Sequence, residues 1–238
     1  MSEVIWHDLE CGSYSEDLPL WRELAASEGS PVLEIGAGSG RVALDLARRG
    51  YEVTALDTNE ALLGELERRG AGHPVRTVSA DARAFSLDER FALCLVPMQT
   101  IQLLGGVAGR AALLERVRTH LLPGGLLAAA LSLALPVYDA ADGVPAPLPD
   151  MCERDGTVYF SHPTGIHIER EGYVIERRRE TVASSGARTV DHDRILLDHL
   201  APRELEVEAA AHGFEPAGRA TIAATADYAG SEVVMLRA

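Results

Sequence analysis

No lysine occurs anywhere in the 238-residue chain; all 22 basic residues are arginine. That excludes Schiff-base catalysis and a lysine general base, and with them any reductase built on a Tyr-x-x-x-Lys pair. Cysteine is scarce too. Cys11, Cys94 and Cys152 are odd in number, widely spaced and without a C-x-x-C arrangement. They fit a reducing cytoplasm and argue against a structural zinc, so no metal is expected. Long apolar runs are missing as well. The longest, Leu126–Leu135, is interrupted by Ser132 and too short to span a bilayer, and it reads as a buried strand. The opening MSEVIWHDLE is acidic and lacks the apolar centre of a signal peptide. Basic charge is in deficit: 36 acidic residues leave a net charge of −14. A nucleic-acid or anionic-membrane partner is therefore not expected, because both are polyanions. A small, neutral or cationic substrate is easier to reconcile with this charge.

What is present is enough apolar material, 47% of residues, for a sizeable core. The length suits one α/β domain with room for an insertion. The chain is organised around Val32–Arg41, VLEIGAGSGR. Val32, Leu33 and Ile35 predict a short buried strand, and Gly36, Gly38 and Gly40 turn the chain. Val42, Leu44, Leu46 and Ala47 then recur at helical spacing over Arg41–Arg49. Strand, glycine turn and helix open a doubly wound α/β domain, in which ligands bind at such a turn. A dinucleotide fold asks for a third glycine where this chain has Arg41. Two residues before the first glycine stands a carboxylate, Glu34.

The pattern E-x-G-x-G-x-G resembles the first motif of class I S-adenosylmethionine-dependent methyltransferases. That cofactor carries a sulfonium and an ammonium against one carboxylate and has no phosphate, so an acidic turn suits it. Further along, Tyr51–Leu56 is a second strand ended by Asp57, at the spacing where doubly wound folds place an acid on a ribose. Asn59 caps a helix over Glu60–Arg69, and Val75–Ser79 is the third strand. The resemblance gives Asp81 the adenine amino group and the Ala82 backbone N–H a ring nitrogen. Phe91–Val96 is the central fourth strand, with Met98 and Gln99 at its carboxyl end and Gln102 placed to face the substrate. Val96-Pro97-Met98-Gln99 is not the motif that base-methylating relatives carry there, in agreement with the charge. A helix over Gly109–Leu122 breaks at Pro123-Gly124-Gly125 before a fifth strand, a second resemblance to the same class.

The expected fold is α/β and doubly wound, carrying an inserted antiparallel β-meander; the resemblance implies a Rossmann-like seven-stranded sheet of order 3-2-1-4-5-7-6 with the last strand antiparallel. The expected organisation is an N-terminal lid and helix at 1–30, a cofactor domain from 31–135 and 200–238, and the insertion at 136–199. Pro136, Pro145, Pro147 and Pro149 punctuate its helix-free beginning. Strand-like alternation follows over Thr157–His162, Gly165–Glu169, Tyr173–Val182 and Thr189–Leu200. In small-molecule methyltransferases a similar insertion roofs the active site or makes a dimer contact, so a homodimer through the insertion is an open expectation. A helix at Pro202–His212 and strands at Phe214–Ile222 and Glu232–Arg237 close the chain.

The resemblance implies S-adenosyl-L-methionine as cofactor, held by Tyr14, Glu34, Gly36, Ala37, Gly38, Arg41, Asp57, Thr58, Asp81, Ala82, Arg83, Met98 and Gln99. Of these, Tyr14 touches the methionine end of the cofactor or the substrate, or else packs the start of the first helix, and Glu34 buttresses the glycine turn. Candidate bases are histidines, since imidazole is readily tuned to act near neutrality. His162 and His167 flank a turn expected at Pro163-Thr164-Gly165, and His192 sits between Asp191 and Asp193, although each taken singly reads first as a sheet or surface residue. The implied activity is methyl transfer to an O or N acceptor on a small molecule in the cytoplasm. A non-catalytic cofactor-binding scaffold remains a second class, and an NAD-dependent reductase, opposed by Arg41 and the missing lysine, a third.

Overall fold

The computed structural model describes residues 2–143, 147–225 and 228–238, and Pro145 lies outside the described residues. The chain divides into two compact units, one of Tyr14–Leu133 with Leu200–Ala238, the other of the residues up to Ser13 with Ala134–His199. The segment 1–30, expected as one piece, is shared between them.

The smaller unit opens with α1 (Ser2–Cys11). In the larger unit follow α2 (Leu18–Glu28), β1 (Val32–Ile35), α3 (Arg41–Ala47), β2 (Val53–Asp57), α4 (Glu60–Arg69), β3 (Val75–Ser79), β4 (Phe91–Val96), a 3-10 turn (Thr100–Leu103), α5 (Gly106–His120) and β5 (Leu121–Ser132). The smaller unit resumes with β6 (Tyr138–Asp139), a 3-10 turn (Ala140–Asp142), β7 (Asp150–Arg154), β8 (Thr157–Ile168), β9 (Gly172–Val182) and β10 (Arg188–Asp198). The larger one closes with α6 (Pro202–Ala210), β11 (Glu215–Ile222) and β12 (Ser231–Arg237).

The large sheet runs β11-β12-β5-β4-β1-β2-β3, with β1 to β5 pairing in parallel and β12 antiparallel to both its neighbours. This is the expected order. Both faces are covered, which is why its central strands read as nearly unbroken apolar runs. Leu33 and Ile35 face a core with Leu113, Leu114, Val117 and Leu205 of α5 and α6. Val32 faces the opposite core, with Trp21, Val42, Leu46, Leu63 and Leu66 of α2, α3 and α4. Asn59 caps α4 as expected, its side chain accepting the N–H groups of Ala61 and Leu62. Because β1 is flanked by β2 on one side and β4 on the other, the chain reverses its winding there and opens a crevice at the strands' carboxyl ends.

In the smaller unit β10, β9, β8 and β6 form an antiparallel sheet, and β7 also pairs with β8. Helix α1 was not foreseen, because the opening residues carry no uninterrupted apolar face. Its packing is largely polar: Glu10 accepts from Arg179 (2.7 and 2.8 Å) and from the Ser161 hydroxyl (2.6 Å), and Trp6 meets Tyr159 edge-on at 5.3 Å. The turn expected at Pro163-Thr164-Gly165 is instead a register shift within one continuous strand, β8, so His162 and His167 do not flank a turn. The stretch after Pro136 also contains β6, β7 and a 3-10 turn. Strand β2 starts at Val53 rather than Tyr51, α5 at Gly106 rather than Gly109, and β5 already at Leu121.

Candidate functional site

The glycine turn leaves β1 held against β2. The N–H groups of Gly36 and Ala37 both donate to the Leu56 carbonyl, at 2.8 and 3.1 Å. Gly36 has φ +74°, and a Cβ there would lie 2.6 Å from the Thr100 Oγ1 and Cγ2. Only glycine meets both demands. The Thr100 hydroxyl in turn donates to the Pro97 carbonyl at 2.9 Å. Next to it Met98, a non-glycine residue, has φ +54°. Such strained backbone persists where the surroundings over-determine it, commonly around binding sites.

Asp57 ends β2 and faces the same crevice. Its Oδ2 accepts the Gly38 N–H at 2.8 Å and its Oδ1 accepts the Asn59 N–H at 2.9 Å. Each oxygen thus has a lone pair to spare. The Asp57 carbonyl also accepts the Ala80 N–H at 3.0 Å, tying the end of β3 to it. Beyond β3, Asp81 is gripped by Arg83, whose Nε and Nη2 reach its two oxygens at 2.9 and 2.6 Å. That guanidinium and the Arg83 N–H hold the Asp81 carboxyl down at about 2. Ala82 is buried, Thr58 and Arg83 are exposed, and Met98 and Gln99 are half-buried.

A second group of polar residues lies among the apolar side chains of α2 and α3. Arg41 places Nη2 2.7 Å from Asp17 Oδ2, donates to the Tyr14 carbonyl at 3.1 Å, and stacks 5.0 Å from the Tyr14 ring. Asp17 also accepts the Trp21 indole N–H at 2.8 Å. Arg41, expected to touch the cofactor, is thus engaged in holding Tyr14 and the start of α2. Nearby, the Tyr14 hydroxyl and Glu34 Oε2 are buried without a hydrogen-bond partner. Burial raises the Glu34 carboxyl to about 8; Asp17 and Asp57 add to this, while Arg41 and the Ala43 N–H oppose it. Burial, with Asp17, likewise pushes the Tyr14 hydroxyl up to about 12. Cys94, fully buried, has its thiol pushed up and is inert.

Gln102 is where the structure differs from an exposed, substrate-facing side chain. It is buried, receiving the Ser132 N–H at 2.8 Å and donating to the Ser132 carbonyl at 3.2 Å, so it ties the 3-10 turn to β5. The three candidate histidines all lie in the smaller unit. His162 pairs with Arg178 across β8 and β9, as does His192 across β9 and β10. His167 stands 3.6 Å from Glu176. Of the two acids beside His192, Asp191 accepts its backbone N–H and Asp193 accepts from Arg179. Among the described residues no group of three His, Cys, Asp or Glu is placed to hold a metal ion, and no helix is long and apolar enough to cross a membrane.

Asp17 and Tyr228 contribute to this region without a signal in the sequence. Tyr228 packs its ring 4.8 Å from that of Tyr14. Asp17 reads locally as a helix start, and nothing local marks Tyr228.

The seven-stranded sheet, with β12 antiparallel between β5 and β11, has the Rossmann-like fold seen in solved methyltransferases. Residues 32–125 match the methyltransferase-domain family. Over 98 residues the chain is 32% identical to a cypemycin N-terminal methyltransferase of a Streptomyces species, which covers 41% of this chain and 40% of that protein. The chain spans less than half the length of the curated relatives it matches. Among solved structures it resembles the glycopeptide N-methyltransferase MtfA complexed with S-adenosyl-L-homocysteine, at 27% identity, 92% of this chain, 86% of that one and a TM-score of 0.59. It also shares the fold of the CcbJ methyltransferase from Streptomyces caelestis, at 22% identity, 97% and 95% coverage and a TM-score of 0.68. Through the domain begun by β1 the chain is similar to S-adenosylmethionine-dependent methyltransferases.

Proposed function

We propose that this chain transfers a methyl group from S-adenosyl-L-methionine to a nitrogen or oxygen nucleophile of a small molecule by in-line displacement. The observation that carries the reading is Asp57, fixed by the Gly38 and Asn59 N–H groups with lone pairs left on both oxygens. Two free acceptor sites on one rigid carboxylate fit a ribose diol. The unpartnered Tyr14 hydroxyl and Glu34 Oε2 fit the polar, cationic methionine end of the same cofactor. Asp81 would meet the adenine amino group while Arg83 fixes its orientation, and Ala82, Met98 and Gln99 would line the ring and sulfur side.

The bound cofactor supplies an electrophilic methyl carbon on a sulfonium. The chain's own contribution is to hold that group and the acceptor in line. Such positioning can supply about 7–11 kcal/mol of a barrier, whereas a base adds about 10²–10⁴-fold. A dedicated base is therefore not required for a deprotonated amine. One of the similar proteins is an N-methyltransferase by name and another an N-terminal methyltransferase, which supports an amine acceptor first and a hydroxyl second. His162, His167 and His192 remain the candidates if the acceptor needs a proton removed. A cytoplasmic setting, the absence of nucleic-acid partners and a homodimer through the inserted sheet belong to the same reading.

The test is incubation with methyl-labelled S-adenosylmethionine and a metabolite extract, followed by mass spectrometry. Labelled product is expected, and His162→Ala, His167→Ala and His192→Ala made singly locate any base. Tight cofactor binding with no labelled product would favour a non-catalytic role.

A further inference from the structure

Tyr14 reaches its place from the stretch before α2, and its ring has a neighbour on two sides. One is the Arg41 guanidinium, 5.0 Å from the ring centre and pinned by Asp17. The other is Tyr228, from the connection between β11 and β12, with ring centres 4.8 Å apart and planes tilted by 46°. Tyr228 is itself anchored. Its N–H donates to the Thr225 hydroxyl at 3.0 Å, and its carbonyl accepts the Thr225 N–H at 2.9 Å. The hydroxyl that this clamp orients has no partner, although the side chain is 95% buried. A buried hydroxyl left unpaired is costly, and a ring held on two sides cannot swing away to find water.

We propose that Tyr228 is a positioning residue of the cofactor site, clamping the Tyr14 ring so that its hydroxyl is aimed at the polar methionine end of bound S-adenosylmethionine. This rests on the methyltransferase reading above. It assigns a role to the closing hairpin, a part of the chain far in sequence from the glycine turn. Tyr228 acts through Tyr14, so removing it should matter only while the Tyr14 hydroxyl is there to be aimed.

The experiment is calorimetric titration of the full chain with S-adenosyl-L-homocysteine. Tyr228→Ala should weaken binding about tenfold, and Tyr228→Phe, which keeps the ring, should restore it to within about twofold. Tyr14→Phe should weaken binding about tenfold, and adding Tyr228→Ala to it should cost nothing more. If Tyr228→Ala fails to fold, Tyr228→Leu takes its place, with ligand-free melting as the control. Binding unchanged by Tyr228→Ala, or by Tyr14→Phe, would overturn the proposal. So would a Tyr228→Ala loss that is as large without the Tyr14 hydroxyl as with it. Failure of the unaltered chain to bind S-adenosyl-L-homocysteine would instead overturn the methyltransferase reading itself.

Discussion

The Gly38 N–H and the Asp57 Oδ2 lie 2.8 Å apart, joining the glycine turn after β1 to the acid that ends β2. One carboxylate thereby serves two purposes: it fixes the turn on one edge and offers its remaining lone pairs to a ligand on the other. Asp57→Ala should consequently lose more than a ligand contact. Two charge-assisted hydrogen bonds of about 1.5–3 kcal/mol each correspond to a loss of affinity of about 100-fold or more. Titration with S-adenosyl-L-homocysteine measures it, and circular dichroism checks that the fold survives.

Arg41 stands where a dinucleotide fold would carry a glycine, and it pairs with Asp17, whose side chain is almost wholly buried. Removing one partner of a buried pair leaves a stranded charge and costs about 3–5 kcal/mol. Arg41→Met should show a loss of that size in urea denaturation. Arg41→Lys should recover only part of it, since an ammonium cannot make the two parallel bonds. Equal stability of all three proteins would show that the pair is not a structural tie.

Glu34 gives the chain a pH signature. Its carboxyl is raised from an ordinary 4.5 to about 8, so the folded state keeps a proton that the unfolded state releases. Its contribution to stability is fully present below about 4.5, declines as pH rises, and is exhausted above about 8. Denaturation between pH 5 and pH 8 should show this decline in the unaltered chain and a flatter profile in Glu34→Gln. Parallel profiles would mean that Glu34 does not titrate there.

Gly36→Ala combines a positive φ with a Cβ placed 2.6 Å from Thr100. The left-handed backbone alone costs about 1–2 kcal/mol, and the collision adds to it. The double variant Gly36→Ala with Thr100→Ala should regain part of the lost stability, leaving the backbone share. Strict additivity of the two substitutions in denaturant melts would argue against the contact.

Gln102→Leu should cost stability and leave the acceptor's KM alone. Two bonds to the buried Ser132 backbone vanish together, and each stranded group costs about 1–3 kcal/mol. A raised KM in an otherwise stable variant would return Gln102 to the substrate side.

The sequence by itself determined most strands and helices of the large sheet, because parallel strands covered on both faces must be apolar throughout and their helices must show a 3.6-residue period, while the strand order was implied only by the resemblance to methyltransferases. It determined the glycine turn for a similar reason: the spacing is local and the turn's backbone demands at Gly36 are absolute. It could not determine α1, whose hold on the inserted sheet is a polar network between Glu10 and Arg179, 169 residues apart. Nor could it assign Gln102, where the choice between a substrate and the Ser132 backbone depends on where β5 lies. The contacts around Tyr14 were decided by tertiary structure alone: residues 14, 41 and 228 meet only once the sheet has formed and the connection between β11 and β12 packs against the same core as α3, and no periodicity along the chain encodes that meeting.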